Sequence, residues 1–184
     1  WCLTPIFAYN IDIQVDDSFQ EKSVIHYTLE DIKFLLQKAG VSEVTFNASN
    51  TSDIKIILPN ITQEKIAKHS FDAYPTVSVV DRSYSWEGEY NGEQYILKLE
   101  AYSFEGISAG LYGLMQEILG FNFYHPRATQ IPDLKVWPLK ENLSYQSQPR
   151  FNKMGFHLHT MHPTELTEAL LDENFPGGEK RIRE

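Results

Sequence analysis

Three histidines near the end of the chain, His157, His159 and His162, are the residues whose type and spacing most suggest chemistry. If they lie on a strand, His157 and His159 share one face, and neutral imidazoles suit zinc. Their spacing matches no standard helical or zinc-finger motif, and Glu165 is the nearest carboxylate that could complete a ligand set. We therefore predict no bound metal and no cofactor. Two interpretations stay open: His159 and His162 contact a substrate at a strand end, or they are merely packed or solvated.

An aromatic group on a predicted hairpin is the second candidate: Trp86 with Tyr84, Tyr90 and Tyr95. Flat, exposed rings could stack on sugars, which makes Trp86 a candidate substrate-binding residue. Cross-strand aromatic pairs that only stabilise a hairpin are the commoner arrangement. Both hypotheses stay open at this stage.

Paired carboxylates are the third candidate. Glu87 and Glu89 share one face of the same predicted strand. Glycoside hydrolysis needs two carboxylates held about 5 to 10 Å apart across the sugar. Nothing around this pair predicts a cleft, so we expect both side chains to lie on a solvated surface.

Composition limits the classes of partner. The 184 residues carry a formal net charge of −9, and the only basic cluster lies beside acids at residues 180–183. Binding to nucleic-acid phosphates needs clustered Lys and Arg, so we predict no nucleic-acid partner. Cys2 is the only cysteine, which excludes an intrachain disulfide. No apolar run reaches about 18 residues, so we predict no membrane span.

The first half of the chain predicts alternating strands and helices. Residues 10–27 indicate a polar, irregular stretch. Thr28 is expected to cap a helix whose apolar residues recur at helical spacing and which ends at Gly40, where a left-handed residue is favoured. Thr62 is expected to cap a short polar helix. The predicted strands are residues 3–9, 41–47 and 54–58, and the helices are residues 28–40 and 62–69.

A hairpin and a long helix are the strongest signals in the second half. Strands at 84–90 and 93–99 flank Asn91-Gly92, which favours a type I′ turn. Ser103 is expected to cap a helix that ends near Leu119. Its glycines at 106, 110 and 113 each cost up to about 1 kcal/mol relative to alanine. Close approach of the helix to the sheet would offset that cost.

The remaining pattern completes the fold prediction. A strand is expected at residues 121–125, an ordered, proline-rich connector at 126–149, and a buried strand at 154–159. The order of elements predicts an α/β (α+β) fold. It is a two-layer sandwich in which helices pack mainly on one face of a mixed β-sheet.

Two stretches resemble known enzymes. The segment from Tyr102 to Pro126 contains Gly110-Leu-Tyr and ends in Leu-Gly-Phe-Asn-Phe-Tyr-His-Pro. It resembles the second domain of β-hexosaminidases (glycoside hydrolase family 20) and the N-terminal domain of α-glucuronidases, and residues 53–58 resemble their short central strand. Downstream, residues 148–159 resemble the lead-in to the first strand of their catalytic barrel.

The resemblance implies a domain organisation. Residues 1–149 would form a β-hexosaminidase domain 2-like accessory domain, without catalytic activity, of a secreted, periplasmic or cell-surface glycoside hydrolase that acts on complex glycans. Residues 150–184 would be the linker and the first strand and loop of a (β/α)8 barrel that is cut short. The implied partner is this barrel. Apolar surface meant for the barrel would permit self-association.

The resemblance also implies a departure at the substrate site. In β-hexosaminidases the first barrel strand ends in an Asp, and a sugar-binding Arg follows three residues later. His159 and His162 stand at these positions, and Met154 replaces the usual Arg before Gly155. We therefore expect a sugar other than N-acetylhexosamine. Two alternative functions are a carbohydrate-binding module that uses the hairpin aromatics and a small metal-dependent enzyme that uses the late histidines.

Overall fold

The computed structural model describes residues 9–16, 19, 23–48, 52–63, 66–67, 79–125 and 128–148. The strands are β1 (Asn10–Gln14), β2 (Glu43–Phe46), β3 (Ile54–Ile57), β4 (Ile66–Ala67), β5 (Val79–Val80), β6 (Tyr84–Tyr90), β7 (Tyr95–Ala101), β8 (Asn122–His125), β9 (Ala128–Gln130) and β10 (Leu143–Ser147). The helices are α1 (Ser23–Lys38) and α2 (Phe104–Gly113), and α2 continues as a π-helical turn, Leu114–Ile118.

Among the described residues, six strands form one mixed sheet in the order β10-β6-β7-β3-β1-β2. The four strands from β7 to β2 run parallel, while β6 and β10 are antiparallel to their neighbours. The mixed α/β class and the mixed sheet predicted from the sequence are confirmed. The short apolar run at 54–58 is also a central strand as predicted, since β3 lies between β1 and β7.

Both helices pack on the same face of the sheet. They contact each other, and α2 also contacts β6 and β7 while α1 contacts β2. The Tyr112 hydroxyl donates to Asp31 Oδ2 at 2.8 Å across the helix pair. Burial raises the pKa of Tyr112, and the hydrogen bond to Asp31 adds to the rise. Within the described residues, neither helix combines the length and apolar character that a membrane span requires.

The chain divides into two compact units. The first contains residues 1–121 and 131–152, and the second contains residues 122–130 and 153–184. Within the second unit the structure describes the two-stranded ribbon β8–β9. The strand predicted at 121–125 is therefore present as β8, and its partner is β9. The prediction of an extended connector over 126–149 is incomplete, because this stretch contains β9 and the sheet strand β10.

The prediction of an irregular stretch at 10–27 is wrong. Asn10–Gln14 forms β1, and α1 begins at Ser23 rather than after Thr28. Ile25 is fully buried and extends the apolar face of α1 by one turn. Thr28 lies buried inside the helix, with its hydroxyl 2.8 Å from Ser108 Oγ on α2. It links two helices instead of capping one.

Two further local predictions are corrected. The helix expected after Thr62 contains a strand instead, because Ile66–Ala67 pairs with Val79–Val80. The hairpin turn has four residues rather than two, since Tyr90 pairs with Tyr95. Gly92 has a positive φ of 99°. The Asn91 side chain stabilises the turn, because its Oδ1 accepts hydrogen bonds from the backbone N–H groups of residues 93 and 94 at 3.0 and 2.9 Å.

Two buried tyrosines bind the segment at residues 131–142, which belongs to the same compact unit as the sheet. The Tyr9 hydroxyl donates to the carbonyl oxygen of Leu134 at 2.5 Å, and the Tyr95 hydroxyl donates to that of Glu141 at 2.7 Å. The Trp137 ring lies between them, with centroids 5.9 Å from Tyr9 and 6.3 Å from Tyr95. Hydroxyl-to-carbonyl bonds of this kind contribute about 0.5–1.5 kcal/mol each.

We predict that Tyr9 makes the fold sensitive to alkaline pH. Burial, aided by the charge of Asp133, raises the pKa of Tyr9 to about 12. The folded state favours the neutral phenol, so its contribution is complete below the unfolded pKa, near 10, and is lost as pH rises to about 12. Thermal unfolding between these pH values should therefore show a steeper loss of stability for wild type than for Tyr9→Phe. Tyr90→Phe, which removes an exposed hydroxyl, is the matched control. Equal slopes for wild type and Tyr9→Phe would contradict the prediction.

Candidate functional site

Trp86 is a core residue. Its side chain on β6 has an exposed fraction of 0%, and its Nε1–H donates to the carbonyl oxygen of Gly110 on α2 at 2.9 Å. It stands opposite Leu99 on β7. An enclosed indole has no free face on which a sugar can stack. Trp86 is therefore not the exposed ring that the predicted substrate-binding role needs.

The glycines of α2 allow the helix to approach the hairpin closely. A methyl group at Gly110 would stand 2.6 Å from Leu99 Cδ1, and one at Gly113 would overlap the Tyr84 ring. The predicted packing reason for the glycines is thus confirmed. The predicted cap is also present, since Ser103 Oγ accepts a hydrogen bond from the Gly106 N–H at 2.8 Å. We call the contact between the β6–β7 hairpin and α2 the motif core.

The other hairpin aromatics do not form one exposed platform with Trp86. Tyr95 is buried, and Tyr84 is half-buried beside Tyr145, with ring centroids 6.3 Å apart. Burial raises the pKa of both Tyr84 and Tyr95. Tyr90 is 55% exposed, and its hydroxyl donates to the carbonyl oxygen of Gly92 at 2.8 Å. A sugar-binding surface here would rest on Tyr90 without the other three rings.

The two carboxylates of β6 lie on the solvated side of the hairpin, as predicted. Glu87 and Glu89 are both exposed. Lys98 on β7 lies 3.5 Å from Glu89 and stands opposite Glu87 in the register. Exposed ion pairs of this kind contribute about 0–1 kcal/mol.

Asp12 is a buried carboxylate in the middle of β1, with an exposed fraction of 2%. Its Oδ1 accepts hydrogen bonds from the Ala48 N–H at 2.9 Å and from Thr45 Oγ1 at 3.1 Å, and its Oδ2 accepts one from Gln14 Nε2 at 2.5 Å. A buried charge requires such partners. We call this group the Asp12 network.

The Asp12 network lies where a ligand site would be expected in this topology. The chain leaves β1 for β2 on one side and then returns to β3 on the other, so strand order reverses at β1. Open α/β sheets commonly bind ligands outside the carboxyl ends of their parallel strands at such a reversal. Here Asn60 Nδ2, after β3, donates to Asp16 Oδ2, after β1, at 2.8 Å. The polar groups bind one another and tie the strand ends together.

Sequence reasoning missed the Asp12 network although a signal was present. Residues 10–14 alternate polar and apolar side chains, the pattern of a half-buried strand. Asp and Asn are depleted in strands, which made the stretch resemble a loop. The partners of Asp12 at residues 45 and 48 lie on another strand and its loop, which no local pattern connects to residue 12.

The histidines of the sequence hypothesis lie beyond the described part of the chain. His157, His159 and His162 fall within residues 149–184, outside the described residues, so the roles of His159 and His162 stay predictions. Among the residues that the structure describes, no group of three or more His, Cys, Asp or Glu side chains could hold a metal ion.

The fold defines the chain as a mixed α/β domain built on a six-stranded sheet. Comparison with models of known protein families, with curated proteins and with solved structures found no match.

Proposed function

We propose that residues 1–149 are a non-catalytic accessory domain of a secreted glycoside hydrolase, and that residues 150–184 begin its catalytic barrel. The domain would buttress the barrel, in the manner of the β-hexosaminidase second domain that its sequence resembles. His159 and His162 would then contact the sugar at the end of the first barrel strand.

The proposal rests on the packing of the β6–β7 hairpin against α2, the helix within the segment that resembles the β-hexosaminidase domain. Trp86 donates to the carbonyl oxygen of Gly110, and a methyl group at Gly110 would lie 2.6 Å from Leu99 Cδ1, so that Leu99 would have to shift. A methyl group at Gly113 would likewise overlap the Tyr84 ring. The residues of the motif core are thus buried in contacts within the domain, as expected for a domain that supports another.

Two exposed aromatic side chains on α1 support the proposal that this domain has a protein partner. Tyr27 is 51% exposed and Phe34 is 54% exposed, and they are two helical turns apart on the same side of α1. The Lys38 Nζ lies 4.4 Å from the centroid of the Phe34 ring. We propose that the barrel covers this surface, since burial of such rings is a main source of binding energy at interfaces.

A comparison of glycosidase activities tests the proposal. The 184-residue chain and the longer product of the same reading frame would be assayed against aryl glycosides that differ in sugar, including a β-glucuronide and an N-acetyl-β-glucosaminide. We expect no turnover by the 184-residue chain and turnover by the longer product. Deletion of residues 1–147 from the longer product should abolish its activity or its solubility.

Two outcomes would overturn the proposal. One is turnover of any glycoside by the 184-residue chain. The other is a longer reading frame whose product folds but turns over none of the glycosides. In the active product, His159→Ala should raise KM or lower kcat, whereas the exposed-site variant Glu87→Gln should change neither.

A further inference from the structure

The two edges of the six-stranded sheet differ in how they are protected against pairing with another chain. At one edge, β2 has four residues, carries the charged Glu43, and is followed by Asn47, which has a positive φ of 51°. The following Ala48 N–H is held by Asp12. Short length and charge are devices that block edge-to-edge association.

The opposite edge, β10, lacks the charge that β2 carries. Its sequence is Leu143-Ser-Tyr-Gln-Ser147, with no charge and no proline. It pairs with β6 on one side, and no other described strand pairs with its far side. Ser144 and Gln146 are exposed. An uncharged strand at the edge of a sheet is a template for another strand.

We propose that β10 of one copy pairs antiparallel with β10 of a second copy, about a two-fold axis through Tyr145. This inference does not depend on the proposed function, since it uses only the sheet edge. It also differs from self-association through the exposed face of α1. A two-fold arrangement closes on itself, so it gives a dimer with one continuous sheet rather than a fibre.

The side chains of β10 suit this register. Tyr145 of each copy would meet its symmetry mate, which extends the existing Tyr84–Tyr145 contact across the axis. Ser144 of one copy would stand opposite Gln146 of the other, so that both exposed pairs are uncharged and capable of hydrogen bonding. Polar and aromatic cross-strand pairs of this type stabilise antiparallel sheets.

A pair of matched double variants tests both the surface and the register by sedimentation equilibrium of the 184-residue chain. We expect wild type to form a concentration-dependent dimer with a Kd on the order of 10 µM, since the contact is small. Ser144→Lys/Gln146→Lys places lysine opposite lysine twice and should weaken the dimer. Ser144→Lys/Gln146→Glu places lysine opposite glutamate twice and should strengthen it. The two Kd values should differ roughly tenfold at low salt and converge at high salt.

The design separates pairing in register from general charge effects. The double-lysine variant lowers the net negative charge of the chain, so a nonspecific charge effect would favour its association, the reverse of the expected order. Phe34→Ser tests the other surface. Equal Kd values for the two double variants, a monomeric wild type, or a dimer abolished by Phe34→Ser alone would overturn the proposal. Far-UV circular dichroism of each variant checks that the fold is retained.

Discussion

Replacing Trp86 by alanine should lower the free energy of unfolding by roughly 3–5 kcal/mol, the range for truncation of a buried aromatic. The indole is fully buried between the hairpin and α2, so its removal leaves a cavity in the motif core. It also removes the hydrogen bond to the carbonyl oxygen of Gly110. In a domain with about 5–15 kcal/mol of total stability, such a loss should lower the melting temperature by about 10 °C or more.

Chemical denaturation followed by far-UV circular dichroism measures this effect without relying on tryptophan fluorescence. Trp86→Phe is the matched control: it keeps a ring in the core and loses the hydrogen bond, so it should cost clearly less than Trp86→Ala. A small effect of Trp86→Ala, within about 1 kcal/mol of wild type, would show that the indole is not enclosed as described.

Replacing Asp12 by alanine should have the second-largest effect, a loss of roughly 2–4 kcal/mol. The substitution removes the acceptor of the Ala48 N–H and of the Gln14 amide, and the nearer of the two acceptors of the Thr45 hydroxyl, which keeps the carbonyl oxygen of Ile11 at 3.4 Å. Hydrogen bonds to a carboxylate contribute about 1.5–3 kcal/mol each, and the half-buried donors that lose their acceptor add a further cost. We also expect the Ala48 amide to lose its protection from hydrogen exchange, because the Asp12 side chain is its acceptor.

Asp12→Asn and Asp133→Ala complete this test. Asparagine keeps the shape but has a single acceptor oxygen, so its effect should fall between wild type and Asp12→Ala. Asp133 is exposed, and its carboxylate accepts hydrogen bonds from the N–H and the Nζ of nearby Lys135 at 3.1 and 3.0 Å, so Asp133→Ala should leave the unfolding midpoint unchanged. Unchanged stability of Asp12→Ala, with Ala48 still protected, would contradict the network.

The two substitutions affect opposite halves of the same sheet. Trp86 ties the antiparallel hairpin to α2, while Asp12, in the middle of β1, ties this strand to Thr45 of β2 and to Ala48 after it. If the domain supports a catalytic barrel, its usefulness depends on rigidity in both halves. We therefore expect either substitution, made in the longer product, to reduce the thermal stability of its activity more than it changes KM.

Several elements were predictable because their determinants are local. Ser103, the glycines and the apolar stripe define α2 within 17 residues of sequence, and Gly40 and Gly120 end the two helices with φ values of 104° and 84°. The β6–β7 hairpin follows from two alternating runs around Asn91-Gly92. The caps, turns and apolar patterns that determine each of these elements lie within the element itself or directly beside it in the sequence.

Other elements could not be recognised in the same way. β10 lies among prolines and has no strong apolar alternation, and it is a strand because it pairs with β6. Residues 66–67 form a strand only through their pairing with residues 79–80. Residues 10–14 form a strand although Asp is disfavoured in strands, because donors at residues 45 and 48 bind the Asp12 carboxylate.

The sequence by itself determined the class of the domain, the position of its main helix and hairpin, and the glycines that let them approach. Only the tertiary structure decided that Trp86 is enclosed, that Asp12 is satisfied, and that β10 forms an edge of the sheet. The reason is physical: these features depend on contacts such as Trp86 with Gly110 and Tyr9 with Leu134, the latter 125 residues apart. Burial and hydrogen-bond satisfaction are properties of the assembled chain, and no local window of sequence contains both partners.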